Sequence, residues 1–136
     1  MADDLQTSGK KMLLIEDDLL MVRMYQRKFA KDGYDVQVGL DGTEGLEQIK
    51  GGFEPDIVLL DIMMPRMNGF EFMEAVKKEP KWKNQPIILL TNLSDTEENI
   101  QQGLKLGARG YIVKSETPVE EVVRIVEQNI GNPLPE

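Results

Sequence analysis

The chain has 136 residues, enough for one domain with its own hydrophobic core. It contains no cysteine and no histidine, which excludes disulfides, thiolate nucleophiles, zinc sites and histidine-based acid–base catalysis. Its 16 basic and 24 acidic residues leave a net charge of −8, which opposes sequence-independent binding to a nucleic-acid backbone.

Residues 1–10 are polar and acidic where a secretory signal needs an apolar stretch, and they read as a flexible N-terminus. Residues 131–136, with Gly131, Pro133 and Pro135, read as a flexible tail, leaving a single domain over 11–130. No apolar run is long enough to span a membrane. A soluble cytoplasmic protein that touches neither membrane nor nucleic acid is the expectation.

Met12 to Ile15 is an apolar run that predicts a first strand, and three carboxylates follow it: Glu16, Asp17 and Asp18. Val22, Tyr25 and Phe29 share one face of a helix that stops near Gly33. Tyr34 to Val38 predicts a second strand, and Asp41 precedes a short helix with Leu46 and Ile49 turned inward. The third run, Ile57 to Leu60, is wholly apolar, as in a strand buried on both faces of a parallel sheet, and it delivers Asp61 at its end.

Pro65, Asn68 and Gly69 then turn the chain, and Asn68 predicts the cap of a helix with Met73 and Val76 inward and Pro80 at its end. Pro86 to Leu90 is a fourth buried run, ending in Thr91. Ser94 or Asp95 is the expected cap of the next helix, with Ile100 and Leu104 inward and Gly107 as its stop. Tyr111 to Val113 predicts a short fifth strand ending in Lys114. Thr117 before Pro118, with Glu120 placed for a capping box, opens a last helix whose face is Val119, Val122, Val123, Val126 and Ile130. Trp82 reads as a lid on the core.

Five strands alternating with five helices predict an α/β fold, a doubly wound parallel sheet in the order 2-1-3-4-5. All strand ends then face one edge, where Glu16 and Asp17 stand beside Asp61, with Thr91 and Lys114 farther along. Close carboxylates repel by about 4 kcal/mol per pair at 4 Å and an effective dielectric near 20, so the cluster must bind a cation or raise a pKa. Oxygen ligands alone favour a hard divalent ion, Mg²⁺ before others. A cation, an ammonium and a hydroxyl around one more carboxylate form a receptor for a phosphoryl group that Asp61 could accept in line.

Glu16-Asp17-Asp18, Asp61-Ile-Met-Met-Pro65 with Asn68-Gly69, Thr91, Tyr111 and Lys114 together resemble the receiver domain of two-component response regulators, across nearly the whole chain. The resemblance implies that Asp61 is the phosphoacceptor and that Asp17 binds Mg²⁺ directly, with Glu16 acting through a coordinated water. It implies the Met63 backbone carbonyl as a further ligand, Thr91 and Lys114 as phosphoryl contacts, and Tyr111 as a switch aromatic. Phosphate would come from a sensor histidine kinase or a phosphotransfer protein, and the last two helices with the fifth strand would present a changed face to a downstream protein target. The implied protein is a switch in a phosphorelay, not a turnover enzyme, either standing alone or as part of a longer regulator.

Two positions depart from the pattern. Many receivers follow the lysine with a cis proline, whereas Ser115 stands here, and a cis bond without proline costs about 3 kcal/mol. The sequence leaves the state of that bond open. Met63 and Leu93, two residues after Asp61 and Thr91, flank the implied route of a hydrolytic water and offer it no polar group. A long-lived phosphorylated form is the expectation. An aspartyl-phosphate phosphohydrolase is the competing enzyme reading, opposed by Met63 where a second catalytic acid usually stands. A flavodoxin-like cofactor binder is opposed by three carboxylates where phosphate would have to sit. Read alone, Glu16 to Asp18 would be a solvated acidic turn.

Overall fold

Five parallel strands form one sheet in the order β2-β1-β3-β4-β5 in the computed structural model, which describes residues 9–130. The strands are β1 (Lys11–Ile15), β2 (Asp35–Gly39), β3 (Ile57–Asp61), β4 (Ile87–Thr91) and β5 (Gly110–Val113). The α-helices among the described residues are α1 (Leu19–Lys31), α2 (Gly42–Lys50), α3 (Gly69–Lys77), α4 (Glu97–Lys105) and α5 (Val119–Asn129). Short 3-10 turns occupy Pro80–Trp82 and Lys114–Glu116. The tail at 131–136 and most of the flexible N-terminus expected at 1–10 lie outside the described residues.

Alternation along each strand divides the core into two layers. Met12, Leu14, Ile57, Leu59, Ile88 and Leu90 pack on one face under α1 and α5, whose Val22, Tyr25, Phe29, Val122 and Val126 are buried there. Leu13, Ile15, Val58, Leu60, Ile87 and Leu89 pack on the other, with Leu46, Ile49, Phe72, Met73 and Val76. Covering both faces explains why β3 and β4 read as unbroken apolar runs: every residue in them is buried. Trp82 is partly buried against the second layer, as a lid would be.

Several boundaries differ from the sequence expectation for local reasons. The second strand runs Asp35–Gly39, because Tyr34 turns inward and meets Phe29 edge-on with ring centroids 5.1 Å apart. Thr96, neither Ser94 nor Asp95, caps α4 by accepting a hydrogen bond from the Asn99 amide at 3.1 Å. The Asp95 carboxylate is taken by the Asn92 amide at 2.8 Å, one turn too early for the helix. Thr117 does not cap α5 either. Its hydroxyl donates to the Val113 carbonyl at 2.8 Å across the 3-10 turn, and Pro118 opens the helix without a side-chain cap. The α3 helix stops at Lys77, and Pro80 begins the following 3-10 turn. Asn68 caps α3 as expected, with Glu71 completing a capping box.

Candidate functional site at the carboxyl edge of the sheet

Register brings the polar strand ends together. Ile15 pairs with Leu60, so the next residues along, Glu16 and Asp61, are neighbours on adjacent strands. Thr91 pairs with Val113, which sets Lys114 one residue beyond the end of β5. Carboxylate oxygens of Glu16, Asp17 and Asp61 lie within 4.8 Å of one another. Glu16 and Asp61 are buried and Asp17 is exposed.

Glu16 is held from three sides. Its amide donates to the Gly39 carbonyl at 3.0 Å. Its Oε2 accepts from the Asp18 amide at 2.9 Å, and its Oε1 accepts from Lys114 Nζ at 2.8 Å. Asp18 turns away from the cluster to cap α1, accepting from the Leu20 amide at 3.0 Å. The first helix thus takes one of the three consecutive acids and leaves two for the pocket.

Asp61 has less support. Lys114 Nζ stands 3.6 Å from its Oδ2, and its buried Oδ1 has no hydrogen-bond partner. Burial, and then the Glu16 charge, push its pKa from an ordinary 3.8 to about 8, while Lys114 pulls the other way. Asp17 is close enough to share a proton with it, which raises the value further. Burial works against the charged form of Lys114, yet its hydrogen bond to Glu16 and the fields of Asp61, Glu16 and Asp17 hold its pKa above the ordinary value.

Three carboxylates around one ammonium leave an excess of negative charge, and one buried acceptor oxygen lacks a donor. An all-oxygen donor set of this kind fits a hard divalent cation such as Mg²⁺, with Glu16, Asp17 and Asp61 as the residues that could hold it.

The other expected site residues stand nearby in different conditions. Thr91 is fully buried at the end of β4, and its hydroxyl donates to the Ile112 carbonyl at 3.2 Å. Tyr111 is 46% exposed on edge strand β5, its ring turned outward. The Met63 and Leu93 side chains are exposed, at 52% and 68%. The Lys114–Ser115 peptide is trans. Sequence reading placed Asp41 before α2 but missed that it is fully buried there and forms an ion pair with Arg66. An arginine in a polar turn looks like any solvated charge, so no pattern marked this pair.

A family model described as the response regulator receiver domain matches residues 12–127. The chain is 40% identical over 116 residues to the probable transcriptional regulator ycf27 of Porphyridium aerugineum, covering 85% of this chain and 46% of that protein. It is 33% identical over 121 residues to the DNA-binding response regulator MtrA of Mycobacterium tuberculosis, covering 89% of this chain and 51% of that one. It thus spans about half the length of these curated relatives. The chemotaxis protein CheY4 of Vibrio cholerae superposes with a TM-score of 0.80 at 29% identity, covering 89% of this chain and 98% of that one. The phosphorylated cyanobacterial phytochrome response regulator RcpA superposes with a TM-score of 0.74 at 28% identity, covering 88% and 89%.

Proposed function

Because the chain belongs to the response regulator receiver family of two-component signalling, we propose that Asp61 accepts a phosphoryl group in a Mg²⁺-dependent reaction and that the resulting charge switches a protein-binding face. The observation that carries this reading is the buried Oδ1 of Asp61, without a hydrogen-bond partner inside an acidic cluster and close to an ammonium.

An Asp61 oxygen attacks phosphorus in line, and the bond from phosphorus to the donor atom breaks. Its electron pair stays on the imidazole nitrogen of a phosphohistidine, or on acetate when acetyl phosphate is the donor. Since these 136 residues contain no histidine, the phosphohistidine lies outside them, on a sensor histidine kinase or a phosphotransfer protein. Glu16, Asp17 and Asp61, with the Met63 carbonyl as a further ligand, would hold Mg²⁺, which would supply positive charge to the phosphoryl oxygens. Lys114, already 3.6 Å from Asp61, pairs with another of those oxygens. Thr91 gives up its bond to the Ile112 carbonyl and donates to the phosphoryl group instead.

Losing that bond loosens the tie between β4 and β5, and Tyr111 then turns from solvent toward the space that Thr91 leaves. The altered surface of α4, β5 and α5 is what a downstream protein target reads. The residues described from 11 to 130 form the receiver, which works in the cytoplasm as a switch without turnover. The half-length match to ycf27 and MtrA favours a second arrangement as well, in which the same receiver governs an attached output domain.

Incubation with Mg²⁺ and acetyl phosphate followed by intact mass measurement tests the proposal. One phosphoryl adduct per chain, absent in Asp61→Asn, is expected. Continuous phosphate release would point to a phosphohydrolase, and no adduct would overturn the reading.

A further inference from the structure

The turn after Asp61 is pinned by a side chain that takes no part in the chemistry above. Arg66 is the one non-glycine among the described residues with a left-handed backbone, φ 63°. That conformation suits glycine, and asparagine less well, because a Cβ crowds the following carbonyl. Its guanidinium forms an ion pair with Asp41 Oδ2 and lies 3.8 Å from Glu44 Oε2.

Asp41 is a demanding partner. Its Oδ1 caps α2 by accepting from the Glu44 amide at 2.9 Å, and its buried Oδ2 receives no hydrogen bond. The ion pair is therefore what balances a carboxylate that is out of water. Beside it, the Gly42 amide donates to the Met67 carbonyl at 2.9 Å. A Cβ at Gly42 would lie 2.7 Å from that same oxygen, so the approach needs a glycine. At the other end of the turn the Gly69 amide donates to the Ile62 carbonyl at 2.8 Å. The segment from 62 to 69 is thus closed on itself and tied at its middle to the start of α2.

A helix cap alone would not require this arrangement. Asparagine at 41 caps equally well without a charge to balance, and glycine at 66 takes the left-handed backbone without strain. Strained backbone that persists in place of cheaper residues is found where geometry serves a site. We infer that Arg66 is a positioning residue for phosphoryl transfer at Asp61: its ion pair with Asp41 holds the 62–67 turn, including the Met63 backbone, in the form the cation site uses. Pro65, with its fixed φ, stiffens the short path between Arg66 and Met63. The inference rests on the proposed role of Asp61 and of the cation beside it.

The test compares Arg66→Asn, which tolerates the left-handed backbone, with Asp41→Asn, which keeps the cap, and with the double variant. Calorimetry gives the Mg²⁺ dissociation constant, and hydrogen exchange in the metal-free protein gives the protection of the Gly42 amide. Each single variant should bind Mg²⁺ about threefold to tenfold more weakly, the cost of ordering a freed segment on binding, and should exchange faster at Gly42. The double variant should be no worse than either single one, and Arg66→Lys should recover part of the loss. A folded Arg66→Asn protein with wild-type Mg²⁺ affinity and Gly42 protection would reduce the pair to a brace and overturn the inference, as would fully additive effects. If the wild-type chain takes no phosphoryl group from acetyl phosphate, the reading of Asp61 fails, while the exchange and Mg²⁺ measurements still decide whether the pair shapes the turn.

Discussion

Removing one charge from the acidic cluster should stabilise the metal-free protein, and the gain should depend on pH in a defined direction. Asp61 has an ordinary pKa of 3.8 when unfolded and about 8 when folded. A carboxyl whose folded pKa is raised holds its proton more tightly in the native state, so its contribution is full below pH 4 and lost as pH rises through 8. Each pH unit in that window removes about 1.4 kcal/mol of stability. From pH 5.5 to 8.5 the loss is therefore roughly 3 kcal/mol, or on the order of 10 °C in Tm for a chain of this size. Coulomb's law gives a repulsion of similar size, about 3.5 kcal/mol for two carboxylates 4.8 Å apart at an effective dielectric of 20.

Asp61→Asn has no proton to lose and so gains no charge as pH rises, and in EDTA its Tm should exceed that of the wild type by a margin that widens from pH 5.5 to 8.5. Saturating Mg²⁺ should close the gap by stabilising the wild type more than the variant. Thermal melts of both proteins at the two pH values, with and without the ion, read this directly. A margin that is flat with pH, or equal Mg²⁺ gains in the two proteins, would refute the electrostatic reading of the cluster.

Two further outcomes follow from other parts of the molecule. With Met63 and Leu93 exposed and apolar beside the pocket, radiolabelled phosphoprotein should decay over minutes or longer, and loss of the label within seconds would contradict that expectation. Asn68→Ala removes the half of the α3 capping box in which the Asn68 side chain accepts from the Glu71 amide, and should lower stability by about 1 kcal/mol, measured as a fall in the denaturation midpoint with the slope unchanged.

What the sequence disclosed, and what it hid, has a physical division. Ile57 to Leu60 and Ile87 to Leu90 could be read as buried strands because covering both faces of a parallel sheet leaves no room for polar residues. Once the strands were placed, their shared direction carried Glu16, Asp61 and Lys114 to one edge. The strand order was also suggested by the resemblance to receivers, so periodicity did not supply it alone. Which of three consecutive acids enters the pocket was less accessible, because Asp18 is claimed by the α1 cap and only the backbone decides that.

Helix starts slipped by a residue or two for the same reason. At Ser94-Asp95-Thr96 and at Thr117-Pro118 every candidate side chain has hydrogen-bonding capacity, and the turn geometry selects among them. The ion pair between Asp41 and Arg66 was invisible, since it joins residues on separate loops through a backbone conformation that arginine seldom adopts.

The chain's three tyrosines are not equally open to reagents. Tyr25 and Tyr34 are buried, and burial before any nearby charge pushes each phenol up to about 12. Tyr111 alone offers its ring to solvent, on the face proposed to change. Iodination or nitration would therefore mark a single known position, and the speed of marking would gauge how far that ring has swung without any foreign dye attached.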